Sequence, residues 1–117
     1  MKYARRCDVT GHGMNSGYVW EDGIFYTKDL ETTLAELRKD RSAVMQDIEY
    51  MSEYDIEDTS CWDDFKEARN RAILGIETDA DLLTLAYLKG MLYYTEWDCP
   101  EDYQYEEVDG KLIELEY

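Results

Sequence analysis

Tyr103-Gln104-Tyr105-Glu106-Glu107-Val108-Asp109-Gly110-Lys111-Leu112-Ile113-Glu114-Leu115-Glu116 reads as two alternating strands joined by a two-residue turn. Asp-Gly supplies the positive φ angles that a tight primed hairpin turn requires. Tyr103 and Tyr105 alternate with polar or acidic residues on one strand, and Ile113 and Leu115 alternate with acids on the other. The expectation is a half-exposed sheet, with one face aromatic and aliphatic and the other carboxylate. The same stretch carries the main functional signal. From Glu96 to Tyr117 there are nine acids and one base, Lys111, so these residues hold −8 of a formal charge of −16.

Working back along the chain, Tyr18-Val19-Trp20, Glu21-Asp22-Gly23 and Ile24-Phe25-Tyr26 predict a first hairpin. It follows a turn-rich knuckle, Thr10-Gly11-His12-Gly13, and a short strand near Tyr3 to Cys7 is expected to join its sheet. Leu30, Leu34, Leu37, Val44, Ile48 and Met51 recur at helical spacing, with Arg41 inside the stripe. This predicts one long amphipathic helix from about Asp29 to Glu53. Arg41 there must reach water, a carboxylate or a partner, and an internal ion pair is the simpler expectation.

Tyr54 to Thr59 reads as an acidic loop. Ser60 is the expected cap of a second helix ending near Leu74, with Cys61, Phe65, Ala68 and Ala72 on one face and Gly75 at its C-terminal cap. Thr78 and Asp81 have the spacing of a capping box, with Asp in place of Glu. They open a third helix to about Leu92, apolar round most of its circumference and expected to be the most buried. The fold class is therefore α+β: N- and C-terminal β-hairpins in a small antiparallel sheet, packed with about three helices, the first one long. The length predicts a single acidic globular domain over 1–117.

Composition excludes several classes. Aromatics are 14% of the chain, which argues against a disordered acidic tail. The first residues lack the apolar run of a signal peptide, and the apolar stretch Leu82 to Tyr94 is short and interrupted by Lys89 and Gly90. A cytoplasmic protein without membrane contact is the expectation. Cys7, Cys61 and Cys99 are odd in number and widely spaced, which fits free thiols in a reducing compartment.

No catalytic signature stands out. Gly11, Gly13 and Gly17 lack both the spacing and the following helix of a phosphate loop. Asp55, Glu57, Asp58, Asp63 and Asp64 lack the pattern of a calcium loop. His12 sits in a glycine-rich turn, where a solvated ring is the simple reading, although Cys7 or Cys99 are conceivable partners in space. A non-enzyme with no cofactor and no metal is expected.

Cys7-Asp8-Val9-Thr10-Gly11-His12-Gly13-Met14-Asn15-Ser16-Gly17-Tyr18, with Asp22-Gly23 and Phe25-Tyr26-Thr27, resembles small uncharacterised treble-clef zinc-finger proteins of bacteria and their phages. The resemblance covers about the first 30 residues. Tyr93-Tyr94-Thr95-Glu96-Trp97 is weakly similar too. In that family a C-x-x-C-G knuckle precedes a hairpin, and a second Cys pair starts a helix. Here Cys7 keeps the first ligand position, while Thr10, Thr27 and Leu30 occupy the other three. A structural zinc takes four N or S ligands. The resemblance thus implies a metal-free hairpin-plus-helix skeleton and no activity.

Two functional expectations follow. In the first, carboxylates imitate the charge of nucleic acid and occupy the groove of a basic nucleic-acid-binding enzyme or effector, without touching nucleic acid directly. Glu101, Asp102, Glu106, Glu107, Asp109, Glu114 and Glu116 would form that surface, and the likeness to phage proteins implies an inhibitor of anti-defence type. In the second, Tyr93, Tyr94, Trp97, Tyr103 and Tyr105 form an aromatic patch of a structural or regulatory interaction module, with the acids as a soluble rim. A second copy, docked through the long helix, is a further partner.

Overall fold

The computed structural model describes residues 1–20 and 23–115. The fold is α+β, with eight short strands and four α-helices among the described residues. It divides into two compact units: residues 1–33 with 93–117, and residues 34–92.

The first unit carries the strands: β1 (Lys2–Tyr3), β2 (Arg5–Arg6), β3 (Gly13–Met14), β4 (Ser16–Trp20), β5 (Phe25–Thr27), β6 (Leu92–Glu96, entering at its first residue), β7 (Tyr105–Val108) and β8 (Lys111–Glu114). They form three small sheets rather than one, ordered β1-β7-β8, β2-β3 and β5-β4-β6. The two hairpins therefore lie in different sheets. The segment near Tyr3 does not join the first hairpin. Lys2 and Tyr3 pair with Glu106 and Tyr105, while Arg5 and Arg6 pair with Met14 and Gly13. β6 was not expected as a strand; it leaves the region assigned to the third helix.

The first hairpin closes at Trp20 opposite Phe25, so its connection runs over 21–24 and is longer than a two-residue turn. Asp22 lies outside the described residues; Gly23 has φ 74. The second hairpin has the expected turn. Val108 pairs with Lys111, and Asp109 and Gly110 take φ of 53 and 78. Its register overturns the expected division of faces. Tyr105 lies opposite Glu114, Glu106 opposite Ile113, and Glu107 opposite Leu112. Paired residues share a face, so a two-residue turn brings the tyrosine side of β7 onto the carboxylate side of β8. Each face mixes acids with apolar groups.

The core of the strand unit holds Ala4, Cys7, Met14, Val19 and Trp20. The buried Thr27 hydroxyl accepts from Trp20 Nε1 at 2.8 Å and pairs with the Thr33 hydroxyl at 2.6 Å. Thr33 in turn reaches the Asp29 carbonyl.

The expected long helix is broken into α1 (Leu30–Lys39), α2 (Arg41–Met45) and a 3-10 turn, Ile48–Tyr50. At Asp40, φ −99 and ψ 25 open a new turn, whose carbonyl accepts from Ala43 and Val44. Gln46 is extended and Asp47 is left-handed at φ 63. Lys89 Nζ stabilises the end of α2, donating to the carbonyls of Ala43, Val44 and Gln46 at 3.0, 2.8 and 2.7 Å. The stripe is still used in part: Leu37, Val44 and Ile48 are buried, whereas Leu30 is exposed.

α3 (Trp62–Ile73) buries Phe65, Ala68 and Ala72 as expected. Asp58, not Ser60, caps the 3-10 turn leading into it, accepting from the Ser60 N–H. The Ser60 hydroxyl is itself spent on Asp58, donating to Oδ1 at 2.6 Å. Gly75, at φ 75, ends α3 with the N–H groups of Gly75 and Ile76 on the carbonyls of Ala72 and Arg71. The capping box of Thr78 and Asp81 opens α4 (Asp79–Leu88), whose Leu82, Leu85 and Ala86 are fully buried. α4 stops earlier than expected because Gly90, at φ 76, repeats the α3 ending. No helix among the described residues is long and apolar enough to cross a membrane.

Candidate functional site

The charges of the two units are handled differently. Residues 34–92 contain seven Lys and Arg and fourteen acids. All seven cations are engaged. Arg38 reaches Asp79 at 2.8 Å and Glu77 at 3.6 Å, Arg41 pairs with Glu77, and Arg71 grips Asp81. Lys39 and Lys66 pair with Glu36 and Asp63. Arg69 donates to the carbonyls of Ile48 and Met51 and lies over the Trp62 ring, and Lys89 caps α2. Arg41 thus finds the carboxylate its place in the stripe required. Its hydrogen bond, with the charges of Arg41 and Arg38, holds the nearly buried Glu77 carboxyl below its ordinary range.

Residues 1–33 and 93–117 contain fourteen acids and only five bases, a net of −9. Among the described residues, no ion pair falls in this unit. Glu101 and Asp102 sit on a 3-10 turn after Cys99, Glu106 and Glu107 on β7, Asp109 at the hairpin tip and Glu114 on β8. Glu116 lies outside the described residues. Glu106 shares a face with Lys2 and Ile113, while Glu107 and Glu114 take the other face. Glu107 accepts from the Tyr3 hydroxyl at 3.3 Å. Burial, then the Glu107 charge, hold the Tyr3 phenol above its ordinary value, so Tyr3 remains the donor.

Of the five residues of the aromatic reading, Tyr93 and Tyr94 belong to one sheet and Tyr105 to another. Tyr93 and Tyr94 are adjacent on β6, so they point to opposite faces, each half exposed. Tyr94 meets Tyr18 edge-on at 5.4 Å. Trp97 meets Tyr26 at 5.9 Å, with the Arg5 guanidinium 5.1 Å from the Trp97 ring. Tyr105 belongs to the other sheet, opposite Tyr3, and Tyr103 lies just before β7. The Arg5 clamp was missed in the sequence, where nothing local links Arg5 to a residue more than ninety positions away.

The knuckle is tightly wound: Cys7 N–H donates to the His12 carbonyl and Gly11 N–H to that of Cys7. Asp8 clips it to β5 by exchanging hydrogen bonds with Tyr26. Burial pushes the Cys7 thiol up, but hydrogen bonds from the Thr10 hydroxyl and the backbone of Thr10, Lys28 and Val9 outweigh it and bring it below its ordinary value. Of the other three ligand positions, Thr10 bonds to Cys7, Thr27 serves Trp20 and Leu30 is exposed. Among the described residues, no group of three or more His, Cys, Asp or Glu side chains is placed to hold a metal ion. Comparison with known proteins gives no match to a family model, a curated protein or a solved structure.

Proposed function

We propose that this chain is a non-enzymatic acidic binding protein whose C-terminal carboxylates occupy the groove of a basic, nucleic-acid-binding protein, acting as a nucleic-acid mimic that inhibits it. The observation that carries this reading is the separation of charge use. Cations are spent on internal pairs in residues 34–92, while the acids from Glu101 to Glu114 have no ion-pair partner among the described residues. Uncompensated carboxylates cost folding energy through repulsion, so a basic partner would relieve them. The mixed register favours a groove over a flat surface. Acids lie on both faces of the hairpin, with Asp109 at its tip, so only a partner that encloses the hairpin contacts them all. An aromatic docking module has less support, since Tyr93 and Tyr94 belong to a different sheet from Tyr105.

The test uses the full chain as bait in lysate, followed by kinetics with the purified captured protein. Release by about 0.5 M salt, and displacement by excess duplex DNA, are expected of a mimic. Changing Glu106, Glu107 and Asp109 together to amides should slow association by about tenfold and flatten its salt dependence. A partner that remains bound in excess DNA, with kinetics untouched by the triple change, would refute the reading.

A further inference from the structure

A cavity of about 250 Å³ lies between the glycine knuckle and the C-terminal sheet. Tyr3, Glu107 and Leu112 share the sheet face that forms one wall. Gly11, His12, Gly13 and Lys28 form the other. The knuckle approaches this closely because it carries no side chains at the contact: a Cβ on Gly13 would run into the Tyr3 ring.

The lining is electrostatically divided. Lys28 and His12 are exposed at one side, and the Arg6 guanidinium lies beside Gly11, 3.7 Å from where a Cβ would stand. Neither Lys28 nor Arg6 has an ion-pair partner among the described residues, in contrast to Arg38, Lys39, Arg41, Lys66 and Arg71. The nearby Asp29 is already committed, accepting the Thr32 N–H at 2.8 Å as it caps α1. At the other side stands Glu107, with one hydrogen bond from Tyr3 and acceptor capacity to spare.

We propose that this cavity binds a small zwitterion of amino-acid size, its carboxylate toward Lys28 and His12 and its ammonium on Glu107. The field of the unit selects this class. A free anion entering a body of net charge −9 is repelled, and a free cation meets Lys28 and His12. A zwitterion satisfies both ends and adds no net charge. Size sets the second limit, since the cavity is smaller than the roughly 300–1,000 Å³ typical of drug-sized ligands. The Tyr3 ring and Leu112 add an apolar wall, which favours an aliphatic side chain over a polar one. Glu107 is shared with the acidic surface proposed above, whereas Lys28 belongs to the cavity alone, so Lys28→Met tests this inference separately.

The experiment follows backbone amide shifts of the full chain during titration with L-leucine and L-serine, with acetate and methylammonium as half-ligands. Saturable shifts are expected at Gly11, His12, Gly13 and Gly110, with L-leucine binding at least about tenfold more tightly than either half-ligand. Lys28→Met and Glu107→Gln should each weaken L-leucine by about tenfold. Lys28 is solvent-exposed, so K28M keeps the test valid if E107Q disturbs Tyr3. The proposal fails if neither amino acid gives saturable shifts at these amides. It fails equally if acetate alone binds as tightly as L-leucine, or if K28M binds L-leucine unchanged.

Discussion

Arg71 and Asp81 are joined by two parallel hydrogen bonds of 2.7 Å, from Nε and Nη2 to the two carboxylate oxygens. The same carboxylate accepts the Thr78 N–H that opens α4. One side chain therefore ties the last turn of α3 to the first turn of α4. The Arg71 hydrogen bonds, helped by Thr78, outweigh burial and hold the Asp81 carboxyl at about 2, below its ordinary 3.8. A depressed folded-state value means that this contribution is full above pH 3.8 and is lost as pH falls toward 2. Asp81→Asn should cost about 2 kcal/mol at neutral pH and shrink the stability lost across that acid window. Circular-dichroism melts from pH 5 to 2 check this; parallel acid losses in parent and variant would show that Asp81 is not the titrating group.

A second expectation concerns the buried hydroxyl of Thr27. Thr27→Val keeps the shape but leaves the Trp20 indole N–H without its acceptor. The cost should be about 1–3 kcal/mol, with a shift in tryptophan emission. Thr27→Ser keeps the acceptor and should lose only about 1 kcal/mol for the missing methyl. Denaturant melts that rank Ser below Val would overturn the assignment.

Two glycines should respond unequally to alanine. At Gly13 the added methyl collides with the Tyr3 ring, so the knuckle must separate from the sheet, at about 2–3 kcal/mol. At Gly75 nothing lies within 4 Å of the new atom, and only the φ of 75 is strained, at about 1 kcal/mol. Equal costs in urea melts would mean that the knuckle does not rest on Tyr3.

Salt should stabilise the protein. The hairpin acids have no ion pair to be screened among the described residues, so added ions chiefly weaken repulsion, over a Debye length of about 10 Å at 0.1 M. The melting temperature should rise between low salt and about 0.3 M. It should rise less in the variant with Glu106, Glu107 and Asp109 as amides. Asn at position 109 tolerates the left-handed backbone there. Calorimetry showing equal salt slopes for both chains would place the dominant repulsion elsewhere.

Local chemistry was legible in the chain and distant pairing was not. The Thr78 and Asp81 capping box, the Gly75 ending and the Asp109-Gly110 turn each depend on residues a few positions apart. The long helix misled because spacings of three and four continue across Asp40 and Asp47; periodicity records which residues face inward, not whether the backbone between them is continuous. The mixed faces of the hairpin were written in the turn length, since a two-residue loop forces Tyr105 opposite Glu114. The acidic residues were legible as a charge, but which of them have ion-pair partners among the described residues depends on contacts distant in sequence, such as Arg41 with Glu77. The cavity had no local signal, because the pairing of β1 with β7 is what brings Glu107 to the cavity that Lys28 also lines.

That closure orders the birth of the protein. β1 emerges from the ribosome well before its partner β7, which is made more than a hundred residues later. Residues 34–92 can meanwhile complete their own contacts, chiefly between neighbouring helices. Folding them early shortens the effective tether between β1 and β7 and lowers the loop-closure entropy of the final pairing. Until then Arg5 waits on the nascent chain without the Trp97 ring and the Asp102 carbonyl that it meets in the folded protein.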